Sequence, residues 1–278
     1  MTSPALQEIV ALLGCPAAGN PAQYLFERAI EAAGIDWRFV TFDVAPARIG
    51  EAIAGVSALG LRGCILAGPL QEAAAPHMAT LTPAATFSGG VSLVDRQPEG
   101  LVGHMTDGRG VVEALRSHID PASAHVLILG GGPAARATAL ELALARCPGI
   151  VVCDSQADRA EATVAAINGL GDAVAAMLPW EVTLEIPAAV GIIVSVLPAR
   201  GSESLPGLIG LRGDMVVADL PLVPRPSPFI SLATAAGACT IDGLEIHAEK
   251  TAIDFQAWTG VTPDTDMLRE ALDEFLDA

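Results

Sequence analysis

Val126-Leu-Ile-Leu-Gly130-Gly131-Gly132-Pro133-Ala134-Ala-Arg-Ala137-Thr-Ala-Leu-Glu-Leu-Ala143 is the stretch that decides the fold. A short apolar run breaks into three glycines and resumes with the composition of a helix, which predicts a strand, a tight turn and a helix. The glycines let the backbone approach a pyrophosphate, and Ala134 and Ala137 allow the helix to pack closely on the strand. The N-terminus of that helix, at Pro133, offers unpaired N–H groups to an anion.

A second strand and a carboxylate follow this turn. Ile150-Val-Val-Cys-Asp154 is a short apolar run that ends in an acid, about 20 residues after the glycines, as a dinucleotide site requires. A glycine triplet alone is equally typical of a plain tight turn, but the flanking strand, the helix and Asp154 favour the nucleotide interpretation. Residues 126 to 154 are therefore predicted to form the first β-α-β unit of a nucleotide-binding domain.

Composition limits the classes of protein to which the chain can belong. Its 278 residues are enough for two domains, and hydrophobic residues make up 51% of them. The net charge of −17 argues against nucleic acid or an anionic membrane as a partner. Neither a spanning segment nor a targeting segment is recognisable, which predicts a cytoplasmic protein.

Two residue types stand out in the composition. The five cysteines are scattered without metal-ligand spacing, so small buried thiols are expected rather than disulfides or zinc ligands. All but one of the 15 basic side chains are arginines, and Lys250 is the only lysine.

Strands and helices alternate along the whole chain. Strands are predicted at 8–14, 37–44 and 62–67, with short helical pieces around 72–82 and a hairpin of 91–95 with 101–104, which together make one α/β domain. From residue 126, strands separated by helices predict a doubly wound parallel sheet of the Rossmann type. The chain becomes helical again from Gly243, with a break at 259–263.

Six landmarks in this order resemble the shikimate dehydrogenase family over some 240 residues. They are Gly14-Cys-Pro16, Gly63 with Pro69 and Glu72, the segment Gly103 to Gly110, the glycine triplet, Asp219-Leu-Pro-Leu-Val-Pro224, and the segment Gly243 to Gly260. The resemblance implies an N-terminal substrate-binding α/β domain, residues 1–106, completed by C-terminal helices 244–278. It also implies a Rossmann NAD(P)-binding domain with a linker helix at 107–243. Family members oxidise a ring hydroxyl of shikimate or quinate, or reduce the ketone.

The polar shell that the family uses for its substrate is changed in this chain. In this chain Ala18 and Asn20 stand at the positions of the family's paired serines, and Ile65-Leu66-Ala67 stands at its asparagine-valine-threonine strand end. Gln71 stands at the position of its catalytic lysine, and Ser92 and Met105 stand at those of its two asparagines. Thr106 and Asp107 match the family. Losing four or five hydrogen bonds at roughly 1 kcal/mol each would weaken shikimate binding by orders of magnitude. The expected substrate is therefore not shikimate, and the substrate contacts implied are Asn20, Gln71, Ser92, Thr106 and Lys250.

Asp107 and Lys250 are the two candidates for proton transfer. The resemblance implies that Asp107 holds the reacting hydroxyl or acts as a general base, and the alternative is a plain helix cap. Lys250 aligns with a family glutamine that contacts the substrate, and on a helix it shares one face with His247 and Asp254. It either binds a carboxylate, replaces the missing lysine as the partner of Asp107, or forms only an exposed ion pair with Asp254.

The remaining cofactor contacts follow from the same resemblance. Asp154 suits the two ribose hydroxyls of NAD and repels a 2′-phosphate, and the family's phosphate-binding arginine aligns with Ser155. NAD is therefore the preferred cofactor and NADP the alternative. The cofactor-binding set is Gly130, Gly131, Gly132, Pro133, Ala134, Asp154, Ser155, Arg159, Ser195, Val196, Leu197 and Gly243.

Three functions stay open at this point. The first is an NAD(P)-dependent oxidoreductase that transfers a hydride to or from a small cyclic hydroxy acid or ketone. The second is a non-catalytic nucleotide-binding homologue that has lost the catalytic lysine, and the third is a genuine shikimate or quinate dehydrogenase. The expected partner is a small-molecule substrate, without a metal, and the sequence leaves a homodimer open.

Overall fold

A computed structural model describes residues 7–197 and 205–277. The first six residues of the predicted N-terminal domain, and Ala278, lie outside the described residues. The chain divides into two compact units. Unit 1 comprises the described part of Met1–Thr106 with Lys250–Ala278, and unit 2 comprises the described part of Asp107–Glu249. The predicted boundary between 243 and 244 and the boundary between the units both fall in one helix, Gly243–Thr259.

The N-terminal part of unit 1 alternates strands and helices. Its elements are β1 Glu8–Gly14, α1 Ala22–Ala33, β2 Trp37–Asp43, α2 Ile49–Ala58, β3 Gly63–Leu66, α3 Leu70–Ala74, β4 Thr80–Leu81, α4 Pro83–Ser88, β5 Leu93–Gln97 and β6 Gly100–His104. The six strands form one sheet in the order β2-β1-β3-β5-β6-β4. β1, β2 and β3 are parallel, whereas β5 runs antiparallel to both β3 and β6. The carboxyl ends of β1 and β3 therefore meet at one edge.

An aromatic cluster ties the helix Gly243–Thr259 to this sheet. Phe26 of α1 stacks on Phe39 of β2 with ring centroids 4.9 Å apart, and it also contacts Phe255 and Trp258. The indole N–H of Trp258 donates to the Val94 carbonyl at 3.1 Å. Because these rings are buried, the cluster fixes the second half of that helix against unit 1.

Unit 2 contains the rest of the alternation. Its elements are α5 Asp107–Arg116, β7 His125–Leu129, α6 Pro133–Leu144, β8 Ile150–Cys153, α7 Ala157–Asn168, β9 Ala175–Met177, β10 Thr183–Glu185, β11 Val190–Ser195, β12 Gly207–Ile209, β13 Val216–Asp219, α8 Pro228–Ala235 and β14 Cys239–Ile241. The chain continues in α9 Gly243–Thr259, which passes into unit 1, and ends in α10 Thr265–Asp277.

The main sheet of unit 2 is wholly parallel. Its order is β14-β13-β11-β7-β8-β9, and every neighbouring pair runs in the same direction. The order reverses at β7, since β8 lies on one side of it and β11 on the other. This is a doubly wound sheet with its switch point between β7 and β11, where such sheets bind ligands. The predicted α/β fold class, with its parallel-sheet Rossmann part, is confirmed.

Three local expectations differ from the structure. The helical and 3₁₀ residues of this region are Leu70–His77, so within the segment 72–82 only residues 72–77 are helical, and the two-residue strand β4 follows. The strand β12, which pairs with β10 in a separate small sheet, has no counterpart among the predicted elements. The expectation of buried thiols was wrong for Cys239, which is exposed, and incomplete for the half-buried Cys15. In the described part of the chain, no helix combines the length and the apolar character needed to cross a membrane.

Candidate active site

The glycine turn of unit 2 lies where β7 and β11 end side by side. Gly130 has φ 124°, a conformation that residues with a Cβ rarely adopt, and a Cβ there would lie 2.9 Å from Cγ2 of Val196. The N–H of Val196 donates to the Leu129 carbonyl at 3.0 Å. The two segments predicted to bind the cofactor, Gly130–Gly132 and Ser195–Leu197, are thus brought together at the switch point of the sheet.

The start of α6 fits a dinucleotide phosphate. Gly132 is its N-cap residue and Pro133 its first residue, so the helix begins without side chains that would cover its N–H groups. A Cβ on Gly132 would meet no atom within 4 Å, which leaves open space in front of the helix. Ala134 follows in the first turn with a methyl group only. A 12-residue helix with this open N-terminus is suited to bind an anion.

Asp154 stands beside the turn, at the end of β8. Its Oδ2 would lie 3.1 Å from a Cβ on Gly131, and its Oδ1 accepts from the N–H of Gln156 at 2.7 Å. The carboxylate is therefore held next to the glycines. A Cβ on Gly131 would also lie 2.8 Å from Cβ of Arg159, so this exposed arginine borders the turn as well. Ser155, the residue after Asp154, is also exposed.

Sequence reasoning assigned no role to Asp219, the first residue of one of the landmarks, which lies at the end of β13, next to the end of β11. Ser227 donates to its Oδ2 at 2.5 Å, and the Ser195 hydroxyl also bonds the carboxylate. Burial raises the pKa of Asp219, and the two serine hydrogen bonds lower it again in part. Ser227 also caps α8 by accepting from the N–H of Ile230. Asp219 and its two serines therefore link the start of α8 to the segment that begins at Ser195. The contact of Asp219 with Ser195 depends on the pairing of two strands that are distant in the sequence, and no local sequence pattern marks it.

Gly243 begins α9 against the turn that follows β13. A Cβ at this position would lie 2.5 Å from the Pro221 carbonyl oxygen and 2.7 Å from that of Leu220. Only glycine fits there without moving backbone atoms. The glycine thus has a packing role in unit 2, and its predicted cofactor contact stays a prediction.

Three of the predicted substrate residues form one connected group in unit 1. Ser92 and Thr106 share a hydrogen bond between their hydroxyls at 2.9 Å, and the Thr106 N–H donates to Ser92 Oγ at 2.9 Å. The N–H of Leu66 donates to the Ser92 carbonyl, and the Gln71 side-chain amide donates to the Leu66 carbonyl at 3.2 Å. Gln71, Ser92 and Thr106 are all buried, so these bonds fix the end of β3 against β5 and the end of β6.

The hydrogen bond of Asn20 serves the backbone of its own segment. Its Oδ1 accepts from the N–H of Ala22 at 3.0 Å, at the first residue of α1. This bond to the residue two positions on is an Asx turn that leads into the helix. Its role in binding substrate stays a prediction.

Lys250 forms the predicted ion pair with Asp254, but the pair is not exposed. Its Nζ lies 2.5 Å from Asp254 Oδ2, and the side chains are 13% and 1% accessible. An ammonium carries three N–H donors, so it can bond this carboxylate and a ligand at the same time. A carboxylate so deeply buried holds the amine in one position.

Asp107 is the first residue of α5 and is buried. The next residue, Gly108, packs directly on the backbone of α6: a Cβ there would collide with the Ala137 carbonyl and lie 2.6 Å from the Thr138 nitrogen. The position of Asp107 is therefore set by backbone contact between two helices. Ala137, which was predicted to let α6 pack closely on the strand, lies at this contact with α5, and its packing on the strand stays a prediction.

Two further titratable side chains of unit 1, Tyr24 and His104, have shifted pKa values. Tyr24 donates to Glu274 at 3.0 Å, and that hydrogen bond raises its pKa. His104 lies on β6, and burial lowers its pKa, which keeps the ring neutral. Within residues 7–197 and 205–277, no group of three or more His, Cys, Asp or Glu is placed to hold a metal ion.

Sequence comparison gives a family for the chain. Residues 12–94 match the model of the shikimate dehydrogenase substrate binding domain. The shikimate dehydrogenase (NADP(+)) of Rhodospirillum rubrum is 32% identical over 93% of this chain and 94% of its own length. That of Moorella thermoacetica is 31% identical over 91% and 88%. The chain belongs to the shikimate dehydrogenase family.

Solved structures of the shikimate dehydrogenase family and of a sugar reductase share the fold. Ligand-free 5-ketofructose reductase of Gluconobacter sp. strain CHM43 is 29% identical, covers 97% of this chain and 99% of its own, and has a TM-score of 0.87. Shikimate 5-dehydrogenase of Thermus thermophilus in complex with shikimate is 26% identical, covers 98% and 100%, and has a TM-score of 0.84. The predicted family resemblance is confirmed.

Proposed function

We propose that this protein is an NAD(P)-dependent oxidoreductase that acts on a small cyclic hydroxy acid or ketone other than shikimate. Membership of the shikimate dehydrogenase family and the open glycine turn of unit 2 support dehydrogenase chemistry. The observation that carries the choice of substrate is Gln71. It occupies the position of the family's lysine, and its amide is engaged by the Leu66 carbonyl.

The chemistry of Gln71 differs from that of a lysine in two ways. An amide does not act as a general acid or base at neutral pH, and it carries no charge to attract a carboxylate. The neighbouring strand end carries the apolar side chains of Ile65 and Leu66, and both are buried. A ligand that presents several hydroxyls to this side would lose hydrogen bonds it makes with water. The similarity to a 5-ketofructose reductase supports, as one candidate, a ketone of the sugar type whose hydroxyls point away from this strand end.

Two residues of this chain are proposed to manage the proton. Asp107 accepts a hydrogen bond from the reacting hydroxyl or takes its proton. Lys250, held by Asp254, binds a substrate carboxylate or supplies the proton that a lysine at position 71 would have supplied. When bound, the nicotinamide supplies or accepts the hydride.

For the cofactor we propose NAD as the preferred form and NADP as the alternative. The Asp154 carboxylate beside Gly131 accepts from ribose hydroxyls and repels a 2′-phosphate. The relatives named above carry NADP(+) in their names, and Arg159 borders the same turn. Titration with both forms decides between them. A dissociation constant for NADP at or below that for NAD contradicts the preference, and Asp154→Ala is expected to narrow any advantage of NAD.

The first experiment is a panel of cyclic hydroxy acids, polyols and keto sugars, assayed in both directions by the absorbance of the reduced nicotinamide. Shikimate and quinate are included. Turnover of a compound other than these two is the expected result. Shikimate turnover at the rate of the best compound would overturn the substrate proposal and favour the third function, a genuine shikimate dehydrogenase.

The second experiment tests Lys250. Lys250→Met is expected to abolish turnover while leaving the affinity for the cofactor unchanged, whereas Lys250→Arg keeps the charge. The double variant Lys250→Met with Asp254→Leu removes the whole ion pair and restores an apolar interior. If this double variant folds and is still inactive, Lys250 acts on the substrate; if it regains turnover, the lysine has only a structural role.

A second candidate function is a non-catalytic nucleotide-binding homologue, and Gln71 is the observation that favours it. In that case the cofactor would bind with an ordinary affinity, and none of the compounds in the panel would react. Cofactor binding without turnover of any compound is therefore the result that selects it.

A further inference from the structure

Three reactive side chains, none of them among the predicted site residues, meet on the surface of unit 2. Sγ of Cys239 lies 3.6 Å from Nδ1 of His118, and Nε2 of the same ring lies 2.8 Å from Oε1 of Glu245. They come from three elements: His118 follows α5, Cys239 begins β14, and Glu245 lies in the first turn of α9. The cysteine and the histidine are 121 positions apart in the chain.

Both hydrogen bonds of the ring can be assigned a direction. An ionised carboxylate only accepts, so the bond to Glu245 requires the proton of the neutral imidazole to be on Nε2. Nδ1 is then the acceptor, and it faces the thiol, whose S–H is a donor. Glu245 therefore positions His118 as a base directed at the sulfur of Cys239.

Accessibility separates Cys239 from the other thiols. Cys64, Cys147 and Cys153 are buried, and burial raises the pKa of each of them, that of Cys153 to about 12. Cys15 is half-buried, whereas Cys239 is exposed. The His118 and Glu245 side chains are 29% and 16% accessible, so the base is partly shielded while the sulfur remains open to a reagent. β14 is also the edge strand of its sheet, which leaves one side of it uncovered by another strand.

We propose that Cys239 is a site of thiol–disulfide exchange, at which a low-molecular-weight disulfide forms a mixed disulfide with the protein. His118 Nδ1 takes the thiol proton as Sγ attacks one sulfur of the reagent. The new Cys239 S–S bond forms, the S–S bond of the reagent breaks, and the departing sulfur receives the proton from His118. The Cys239 sulfur is oxidised and the departing sulfur is reduced, so the reaction needs no further oxidant. The Glu245 carboxylate stabilises the imidazolium between the two proton transfers.

The test measures the rate at which each cysteine of the intact protein reacts with 2-hydroxyethyl disulfide. This reagent is uncharged, which removes the influence of the net charge of −17. Modified cysteines are identified by mass spectrometry of peptides, and Cys15 in the same molecule is the internal reference. Cys239 is expected to react first, and Cys239→Ser to abolish that modification.

Variants of the base separate assisted attack from mere exposure. His118→Ala is expected to slow Cys239 about tenfold or more, because general base assistance is lost, while the rate at Cys15 stays unchanged. Added imidazole is expected to restore part of the loss. Glu245→Gln keeps an acceptor for Nε2 and should lose less than Glu245→Ala.

Two results would overturn the proposal. One is faster modification of another cysteine than of Cys239 in the wild-type protein. The other is a Cys239 rate in His118→Ala within twofold of the wild-type rate. If His118→Ala changes the modification rate of Cys15 as well, the Glu245 variants decide instead. Equal modification rates of Cys239 in Glu245→Gln and Glu245→Ala then refute the role of His118.

Discussion

Removing the partner of the only lysine should destabilise unit 1 strongly. Asp254→Ala leaves the Lys250 ammonium, 13% accessible, without the carboxylate that lies 2.5 Å from it. Breaking one side of a buried ion pair costs about 3–5 kcal/mol. The flexible four-carbon stem lets the ammonium reach toward water, which places the expected loss near the lower end, at about 3 kcal/mol. For a chain of this size that lowers the melting temperature by roughly 6–12 °C.

The double variant Asp254→Leu with Lys250→Met isolates the reason for this loss. It removes both charges and fills the space with apolar atoms, so its stability should lie within about 1 kcal/mol of the wild type. Glu51→Ala is the matched control, because it breaks an exposed helix pair with Arg48 in the same unit, with side chains 68% and 71% accessible. Its melting temperature is expected to equal that of the wild type.

The assay follows tryptophan fluorescence during heating in a Trp180→Phe background. The two remaining tryptophans, Trp37 and Trp258, then both report on unit 1. A shift of less than about 2 °C for Asp254→Ala, which corresponds to under 1 kcal/mol, would refute the reasoning. A double variant as unstable as Asp254→Ala alone would refute it equally, since the loss would then come from packing and not from the lost Lys250–Asp254 ion pair.

Three further predictions rest on single contacts. Gly108→Ala drives a methyl group into the backbone of α6, so it should lower the stability by about 1–3 kcal/mol and reduce turnover by displacing Asp107. Gly55→Ala in α2, where a Cβ meets open space, should instead raise the stability by about 0.5–1 kcal/mol. Equal melting temperatures for the two variants would contradict this. Burial raises the pKa of Asp219, so its contribution to stability is fully present below the unfolded pKa, about 3.9, and is lost as the pH rises through the folded pKa. Asp219→Asn should therefore melt higher than wild type at pH 7, with a difference that shrinks toward pH 4, and a constant difference across that range argues against it. Burial lowers the pKa of His104, so its contribution to stability is present above about pH 6.5 and is lost as the pH falls through its folded pKa. His104→Gln should therefore make the stability depend less on pH on the acid side. An unchanged pH dependence would count against this.

The strand, turn and helix around the glycine triplet could be predicted almost to the residue. β7, α6 and β8 begin and end within one residue of the predicted bounds, because apolar runs and glycines mark them directly in the sequence. β4 and β12 could not be predicted, since strands of two or three residues are too short to show an alternating pattern. Their pairing depends on neighbours elsewhere in the chain.

The side-chain environments were less accessible to sequence reasoning than the elements. The spacing of Lys250 and Asp254 predicted their ion pair, but not that it is buried. Burial arises because Phe255 and Trp258 of the same helix pack on Phe26, more than 200 residues earlier. The contact of Cys239 with His118 has the same origin, because it depends on which strands and helices become neighbours in unit 2.

The reactivity of the buried Lys250 amine can measure local opening of the folded protein. With 14 arginines and a single lysine, the chain offers one side-chain amine to an acylating reagent. In the folded protein that amine is bonded to Asp254 and largely covered. Acylation of Lys250 would then proceed mainly through transient opening of α9, so its rate, compared with that of a free lysine peptide, measures the free energy of that opening without any introduced label.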